Sequence, residues 1–337
     1  MASVFALVDC NNFYASCEKL FRPDLRHTPV AVLSNNDGCI VARSKEVKAL
    51  GIKMGVPMFQ VQDEIRKHGI VCFSSNYALY ADMSNRVMTI LEEEAPRLEV
   101  YSIDEAFMDL TGVDHVTDLL AFGKHVKAKV DQWTGITVGI GIAPTKTLAK
   151  LANHAAKKYP ATGSVVDLTD PERQRRLLAL LDVSDVWGVG RRTTVKLKAR
   201  GIHTALDLAN ADPKFIRSEF SVVLERTIRE LNGVSCLDLE LVRPTKQQII
   251  CSRSFGHKVT DKQELREAIA KYTTRAAEKL RGEKRLCRVV SVFIRTSPFI
   301  PNEPQYSQTL SAELPSPTDD TRDLLEVSNA LFCRIYR

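Results

Sequence analysis

The stretch YSIDEAFMDL (101–110) sets two acids, Asp104 and Glu105, side by side inside a β-rich run bounded by Val100 and Leu110. Side chains alternate across a strand, so a straight strand would drive one carboxylate into an apolar layer. An unpaired charge there is costly. A bend between EVYSI and AFMDL removes the conflict. The two segments become strands of a hairpin, and both acids at or near its bend can converge on one space.

The flanking sequence supplies the rest of such a sheet. VFALVD (4–9) reads as a short buried strand ending in Asp9, and NNFYASCEKLF (11–21) as a helix with Phe13, Cys17 and Leu20 at helical spacing. PVAVLS (29–34) is a second strand, closed by a turn at Asn35–Gly38. CIVA then leads to a helix from Ser44, its expected N-cap, to Gly51. Residues 78–94 form a helix with Leu79, Met83, Val87, Ile90 and Leu91 along one stripe. ITVGIGIA (136–143) is a strand and PTKTLAKLANHAAKK (144–158) a helix. This alternation predicts an α+β or α/β first domain ending near residue 166. The pattern is all helical from 167 to about 235. A linker at LVRPTK (241–246) then leads to a final strand, helix, strand, strand, helix.

Composition excludes several classes. The 337 residues are 44% hydrophobic, enough for sizeable cores split among domains. Eight dispersed cysteines form no C-x-x-C pair, which argues against a zinc site or disulfide framework and for free thiols in a reducing compartment. The opening MASVFALVDC has no basic leader, and no segment reaches the ~18 apolar residues of a membrane span. A cytoplasmic protein is expected. The net charge of +6 is uneven: residues 241–300 hold 14 Lys and Arg against 5 Asp and Glu, or +9, leaving −3 for the remainder. Such an excess fits either a polyanion-facing surface or a merely solvated face.

Asp9, at the end of an apolar strand, joins Asp104 and Glu105 as a third carboxylate. Oxygen-only ligands with no His or Cys beside them favour Mg²⁺ over zinc. Each acid by itself is ordinary turn chemistry, and Asp9 equally well caps the following helix. The three together carry the reading. Lys45 and Lys48 on one helix, and Lys146, Lys150 and Lys157 along one face of another, offer cations to a triphosphate, or form solvated faces. Tyr14, five residues beyond Asp9 with Phe13 beside it, can lie beneath a nucleotide sugar. Core packing explains both rings as well.

DCNNFYASCE (9–18) and YSIDEAF (101–107) resemble the paired signatures of the Y-family translesion DNA polymerases. SNNDGCIVAR (34–43), CFSSNYALYADMSNRVM (72–88), TKTLAKLANHAAKK (145–158) and IICSRSFG (249–256) resemble the bacterial UmuC type of that family. The resemblance covers nearly the whole chain. It implies an α+β multidomain right hand. A ferredoxin-like palm spans 1–21 and 77–166, and small fingers span 22–76. A helical thumb with a helix-hairpin-helix spans 167–235, and an incomplete βαββα little finger spans 243–337.

The resemblance also implies roles. Asp9 and Asp104 would bind two Mg²⁺ ions, Glu105 the catalytic one, and the backbone carbonyl of Cys10 the nucleotide-side one. Tyr14 falls at the steric gate, with Phe13 beside it. Lys48 and Lys157 contact the triphosphate, and Lys45 stands where many relatives carry a tyrosine. In DVSDVWGVGRRTTVKLKARGI (182–202), Gly188, Val189 and Gly190 would offer N–H groups to a DNA phosphate. Arg288 and Arg295 are expected phosphate contacts of the little finger, which grips the duplex backbone without reading bases. The implied partners are primer–template DNA and dNTP, with a UmuD-like subunit, RecA and the sliding clamp.

One departure stands out: the family little finger ends in a further strand, whereas this sequence stops at ALFCRIYR (330–337). An uncovered sheet edge and weakened partner binding are expected. Two readings remain, an error-prone SOS-response polymerase or a truncated, poorly active paralogue that binds DNA or partners. A nucleotide cyclase fits poorly, having no use for the thumb hairpin or the basic last domain.

Overall fold

Contacts divide the chain into two compact units, Met1–Arg243 and Pro244–Arg337. The computed structural model describes residues 3–242, 245–297, 302 and 304–337. In the first unit the order is β1 (Phe5–Cys10), α1 (Phe13–Leu20), β2 (Val30–Leu33), β3 (Ile40–Arg43), α2 (Lys45–Ala49), α3 (Gln62–His68) and β4 (Val71–Phe73). Then come α4 (Tyr77–Glu94), β5 (Arg97–Val100), β6 (Glu105–Asp109), α5 (Leu119–Thr134), β7 (Val138–Ala143), α6 (Lys146–Lys158) and β8 (Val165–Asp167). Five helices follow: α7 (Pro171–Leu180), α8 (Arg191–Lys198), α9 (Ala205–Ala209), α10 (Pro213–Glu219) and α11 (Val222–Leu231).

The main sheet runs β5-β6-β1-β7-β8, antiparallel except for the β7–β8 pair. The apolar run FALVDC suits the central strand, covered on both faces. Ala6, Val8 and Cys10 belong to the core shared with α1, α4 and α5, while Phe5 and Leu7 belong to the core shared with α6 and the later helices. Alternation therefore assigns Asp9 to the α6 side. Its cross-strand partner Glu105 follows Phe107 onto the same side.

Two glycines let α6 lie close. A Cβ at Gly141 would come within 2.1 Å of the Asn153 backbone nitrogen and 2.3 Å of the Ala149 carbonyl oxygen. Asn153 then fills the crevice, its amide donating to the Gly139 carbonyl at 2.6 Å. Thr145 caps α6 by accepting from Leu148 N–H, and its hydroxyl donates to the Glu230 carbonyl of α11 at 2.9 Å.

A smaller sheet, β3-β2-β4, packs Ala31, Leu33 and Ile40 against Val47, Ile52 and Ile70. Ser44 stands at the N-cap of α2 as expected, but its hydroxyl instead accepts from Val30 N–H at 3.1 Å.

The second unit contains α12 (Lys262–Gly282), β9 (Cys287–Arg295), β10 (Ser307–Thr318) and α13 (Thr321–Ile335). The strand expected between the LVRPTK linker and the next helix does not form. Residues 249–256 make no ladder, and only Ile249 packs against Ala277, Leu280 and Leu314. Strand character there depends on a partner's hydrogen bonds, because the residues after Ile250 are largely small, polar or charged and carry no alternation of their own. Arg243 and Pro244 of the expected linker lie outside the described residues. Among those residues, no helix is long and apolar enough to cross a membrane.

Candidate active site

The hairpin bend that the acids demanded is present, and Ser102 builds it. Its hydroxyl accepts from the N–H groups of Asp104 (3.2 Å) and Glu105 (3.0 Å) and donates to the Asp104 carboxylate at 2.7 Å. The N–H groups of Tyr101 and Ser102 close onto the Glu105 carbonyl. Cys10 N–H donates to the Asp104 carbonyl at 2.8 Å, which stitches the bend to the end of β1. Ser102 carries no signal of its own in the sequence beyond its place two residues before Asp104.

The lysine face of α6 is not solvated. Lys157 forms an ion pair with Asp9, and Lys150 holds both oxygens of Glu105 at 3.1 Å. Lys146 is 3% exposed and committed elsewhere: it pairs with Glu99 and donates to the Asp238 carbonyl at 2.6 Å. Glu99 in turn accepts from Glu240 N–H at 2.8 Å. Of the three lysines, two face the carboxylates and one straps the chain after α11 to the sheet.

Burial, opposed by Lys157 and reinforced by Glu105 and Asp104, pushes the Asp9 carboxyl up to about 6. Burial pushes the Cys10 thiol well up. Asp9 does not cap α1, whose N-cap is Asn12 in a left-handed conformation.

These oxygens form a hard donor set suited to divalent cations. They do not yet form a cage, since no three His, Cys, Asp or Glu groups among the described residues converge to hold one ion. The reason is visible: Asp9 and Glu105 are turned to lysines, and Asp104 to Ser102. The residues fit such ions once Lys157 leaves Asp9, Asp104 turns from Ser102, and Glu105 offers an ion one oxygen while Lys150 keeps the other.

Around this centre, Tyr14 stacks on Tyr80 at 4.2 Å and 13°, and Tyr77 meets it edge-on at 6.2 Å. The Tyr80 hydroxyl donates to Glu18 at 2.7 Å, so the ring beneath Tyr14 is fixed. Phe13 is 3% exposed and belongs to the core, as its alternative reading held. Tyr77 and Tyr80 escaped sequence reasoning: Tyr77 precedes the helix expected at 78–94, and Tyr80 lies off its stripe of Leu79, Met83, Val87, Ile90 and Leu91.

Burial lowers the Lys48 ammonium pKa, and Arg43 and Lys157 lower it further while Asp9 raises it. The cations of β3, α2 and α6 therefore share one field. Arg43, also missed, has a buried Nε with no hydrogen-bond partner among the described residues. Lys45 is exposed at the start of α2.

Farther along, Gly188 takes φ +87° and Gly190 is the N-cap of α8. The arm before the turn is a single 3₁₀ turn, Val183–Asp185, rather than a helix. Among the described residues, no atom beyond the adjoining ones lies within 4 Å of a Cβ built at either glycine, whereas Val189 points inward and is buried. A pocket of about 200 Å³ beside the turn is lined by Gly188, Arg192, Lys196 and Phe220.

In the second unit Arg288 and Arg295 are not brought together. Arg288 lies near the start of β9 and Arg295 at its end. The ladder is irregular near Arg288: Cys287 and Val290 both pack toward the helices, and the exposed Arg288 side chain pairs at 2.7 Å with Glu313, the cross-strand partner of Val289. Arg295 shares the open face with Val289 and Phe293, and has no ion pair among the described residues.

Comparison with known proteins agrees with this layout. The impB/mucB/samB family model matches residues 8–154, and the impB/mucB/samB family C-terminal domain matches residues 246–337. Protein UmuC of Salmonella typhimurium is 58% identical over 335 residues, covering 99% of this chain and 79% of the relative. Protein ImpB of Salmonella typhimurium is 55% identical over 336 residues, with the same two coverages. Among solved structures, a Y-family DNA polymerase chimera, Dbh-Dpo4(243-245)-Dbh, superposes with a TM-score of 0.79 at 20% identity, covering 98% of this chain and 93% of the other. With the fold of a Y-family DNA polymerase and family matches over most of its length, the chain belongs to the impB/mucB/samB family.

Proposed function

We propose that the chain is an error-prone translesion DNA polymerase of the DNA-damage response, transferring nucleotides from dNTPs to a primer end on a DNA template. The observation that carries this is the meeting of Asp9 and Glu105 across β1 and β6, with Asp104 at the adjoining bend and cations of two elements around them. In this proposal β1, α1 and the segment from α4 to β8 are the palm and β2–β4 with α2 and α3 the fingers. α7–α11 form the thumb, and the second unit is the little finger.

Two Mg²⁺ ions are the proposed cofactors. When bound, they would neutralise the triphosphate and activate the primer hydroxyl. Asp9, Asp104, Glu105 and the Cys10 carbonyl would hold them. Lys157 then leaves Asp9 for the triphosphate, an exchange of one anion for another that needs little reorganisation. Lys48 and Arg43 approach the same phosphates from α2 and β3, with Lys45 at the rim. The Tyr14 ring, fixed on Tyr80, lies against the sugar and excludes a 2′-hydroxyl. The N–H groups at Gly188, Val189 and Gly190 hold a DNA phosphate without reading its base.

The free thiols support a reducing, cytoplasmic setting. A UmuD-like subunit, RecA and the sliding clamp are proposed partners on family resemblance, to be sought by co-purification with each.

Primer extension by the 337-residue chain, beside its Asp104→Ala variant and with and without an abasic template site, tests the function. Extension by the parent alone is expected. Equal extension by both would sink the carboxylate assignment, and DNA binding without extension by either would favour the binding-protein reading.

A further inference from the structure

Lys150 is held by more than Glu105. Its ammonium lies 4.6 Å from the Tyr101 ring centroid and 5.2 Å from that of Trp187. The two rings meet edge-on at 5.6 Å, and each also abuts Phe107 of β6, at 5.6 Å and 6.1 Å. A cation between two aromatic faces and a carboxylate has its position set from three sides. The sides come from different parts of the chain. Glu105 and Tyr101 flank the hairpin bend, Lys150 is on α6, and Trp187 immediately precedes the Gly188–Gly190 turn. Lys150 and Glu105 are only 17% and 20% exposed at their side chains, so solvent does little to loosen the arrangement.

We infer that Trp187 is a positioning residue for Glu105, acting through Lys150, so that the state of the thumb turn is felt at the carboxylate. This rests on the polymerase reading for its consequence, but not for its geometry. When the turn grips a DNA phosphate, Trp187 is fixed. Lys150 is fixed with it, and Glu105 is held where a divalent cation must find it. When the turn is empty the same cage holds with one restraint fewer, because nothing anchors Trp187. DNA in the thumb thereby tightens the ordering of the carboxylate. A tryptophan there purely for packing has no reason to share a cation with Glu105.

The chain has two tryptophans, Trp133 and Trp187, and Trp133 is exposed on α5 away from these residues. In a Trp133→Phe background, emission reports Trp187 alone. With primer–template DNA carrying a non-extendable primer end, titration with Mg²⁺ is expected to shift that emission, because recruitment of Glu105 leaves the Lys150 charge less neutralised beside the Trp187 ring. Lys150→Met, which keeps the stem against the rings, and Glu105→Gln are each expected to abolish the shift. Emission blind to Mg²⁺, or a shift that survives Lys150→Met, overturns the inference.

A second arm uses single-turnover nucleotide addition at saturating DNA. Trp187→Ala and Lys150→Met should each slow it about tenfold, as expected for a sub-ångström misplacement, and Trp187→Phe should recover most of the loss. The double variant should be no slower than the slower single one, since both act on one contact. Losses that multiply, or a Trp187→Ala effect confined to DNA affinity, overturn it. If the parent adds no nucleotide, the polymerase reading fails, and the emission titration still decides the coupling.

Discussion

Replacing Gly141 by alanine tests how the sheet positions the site. The added Cβ would sit 2.1 Å from the Asn153 nitrogen, 2.3 Å from the Ala149 oxygen and 2.7 Å from the Ala152 carbonyl carbon. All three are backbone atoms of α6, so no side-chain rotation relieves the contact. Restoring an ordinary separation of about 3.5 Å requires α6 to lift by about 1.4 Å. Overpacking of this kind costs about 1–3 kcal/mol, and the rigid backbone puts Gly141→Ala at the upper end. Lys150 and Lys157 ride on the same helix, and a shift of about 1 Å near reacting groups costs up to about a hundredfold in rate. Gly139→Ala is the internal comparison. Its nearest neighbour is the Lys157 side chain at 3.2 Å, which can yield. Denaturant unfolding and single-turnover primer extension should therefore separate the two. Gly141→Ala should lose about 3 kcal/mol of stability and most activity, while Gly139→Ala should lose little stability but disturb nucleotide binding through Lys157. A Gly141→Ala protein within about 0.5 kcal/mol of its parent would refute the argument that backbone proximity fixes α6.

Tyr14→Ala should raise ribonucleotide incorporation, measured as the ratio of dNTP to rNTP use; unchanged sugar discrimination would remove Tyr14 from the gate. With the Asp9 carboxyl at about 6, Mg²⁺ must displace a proton in acid, so its apparent affinity should rise about tenfold between pH 5 and pH 7 and then level, read by calorimetry. The stability sign is opposite to that of a salt-bridged Asp of depressed pKa. The folded state holds this proton more tightly than the unfolded chain, so the contribution of Asp9 to stability is greatest below about pH 4 and is lost as pH rises through 6. Glu99→Gln leaves the buried Lys146 ammonium without its counter-ion and should cost about 3 kcal/mol in denaturant unfolding, whereas Glu99→Gln with Lys146→Met should recover much of it. A double variant no better than Glu99→Gln would argue against an uncompensated charge as the cause.

Much of the molecule was readable in one dimension because its determinants are local. Adjacent acids in a β-rich run forced a bend, and period-two alternation alone puts Asp9 on one face of β1. Helix stripes such as Met83, Val87, Ile90 and Leu91 need only their own spacing. What could not be read depends on partners far along the chain. A strand is expected after the LVRPTK linker, but a strand exists only where another supplies its ladder. Lys146, Lys150 and Lys157 form one stripe in sequence, yet Glu99 buries the first, the two Tyr101 and Trp187 rings cage the second, and Asp9 binds the third.

Residue type and short-range periodicity suffice to specify the carboxylates, the aromatic beside them and the order of the elements. Which cation meets which acid is settled by the folded packing. That choice depends on how closely α6 lies on β7 over Gly139 and Gly141, and on which burial each charge must bear.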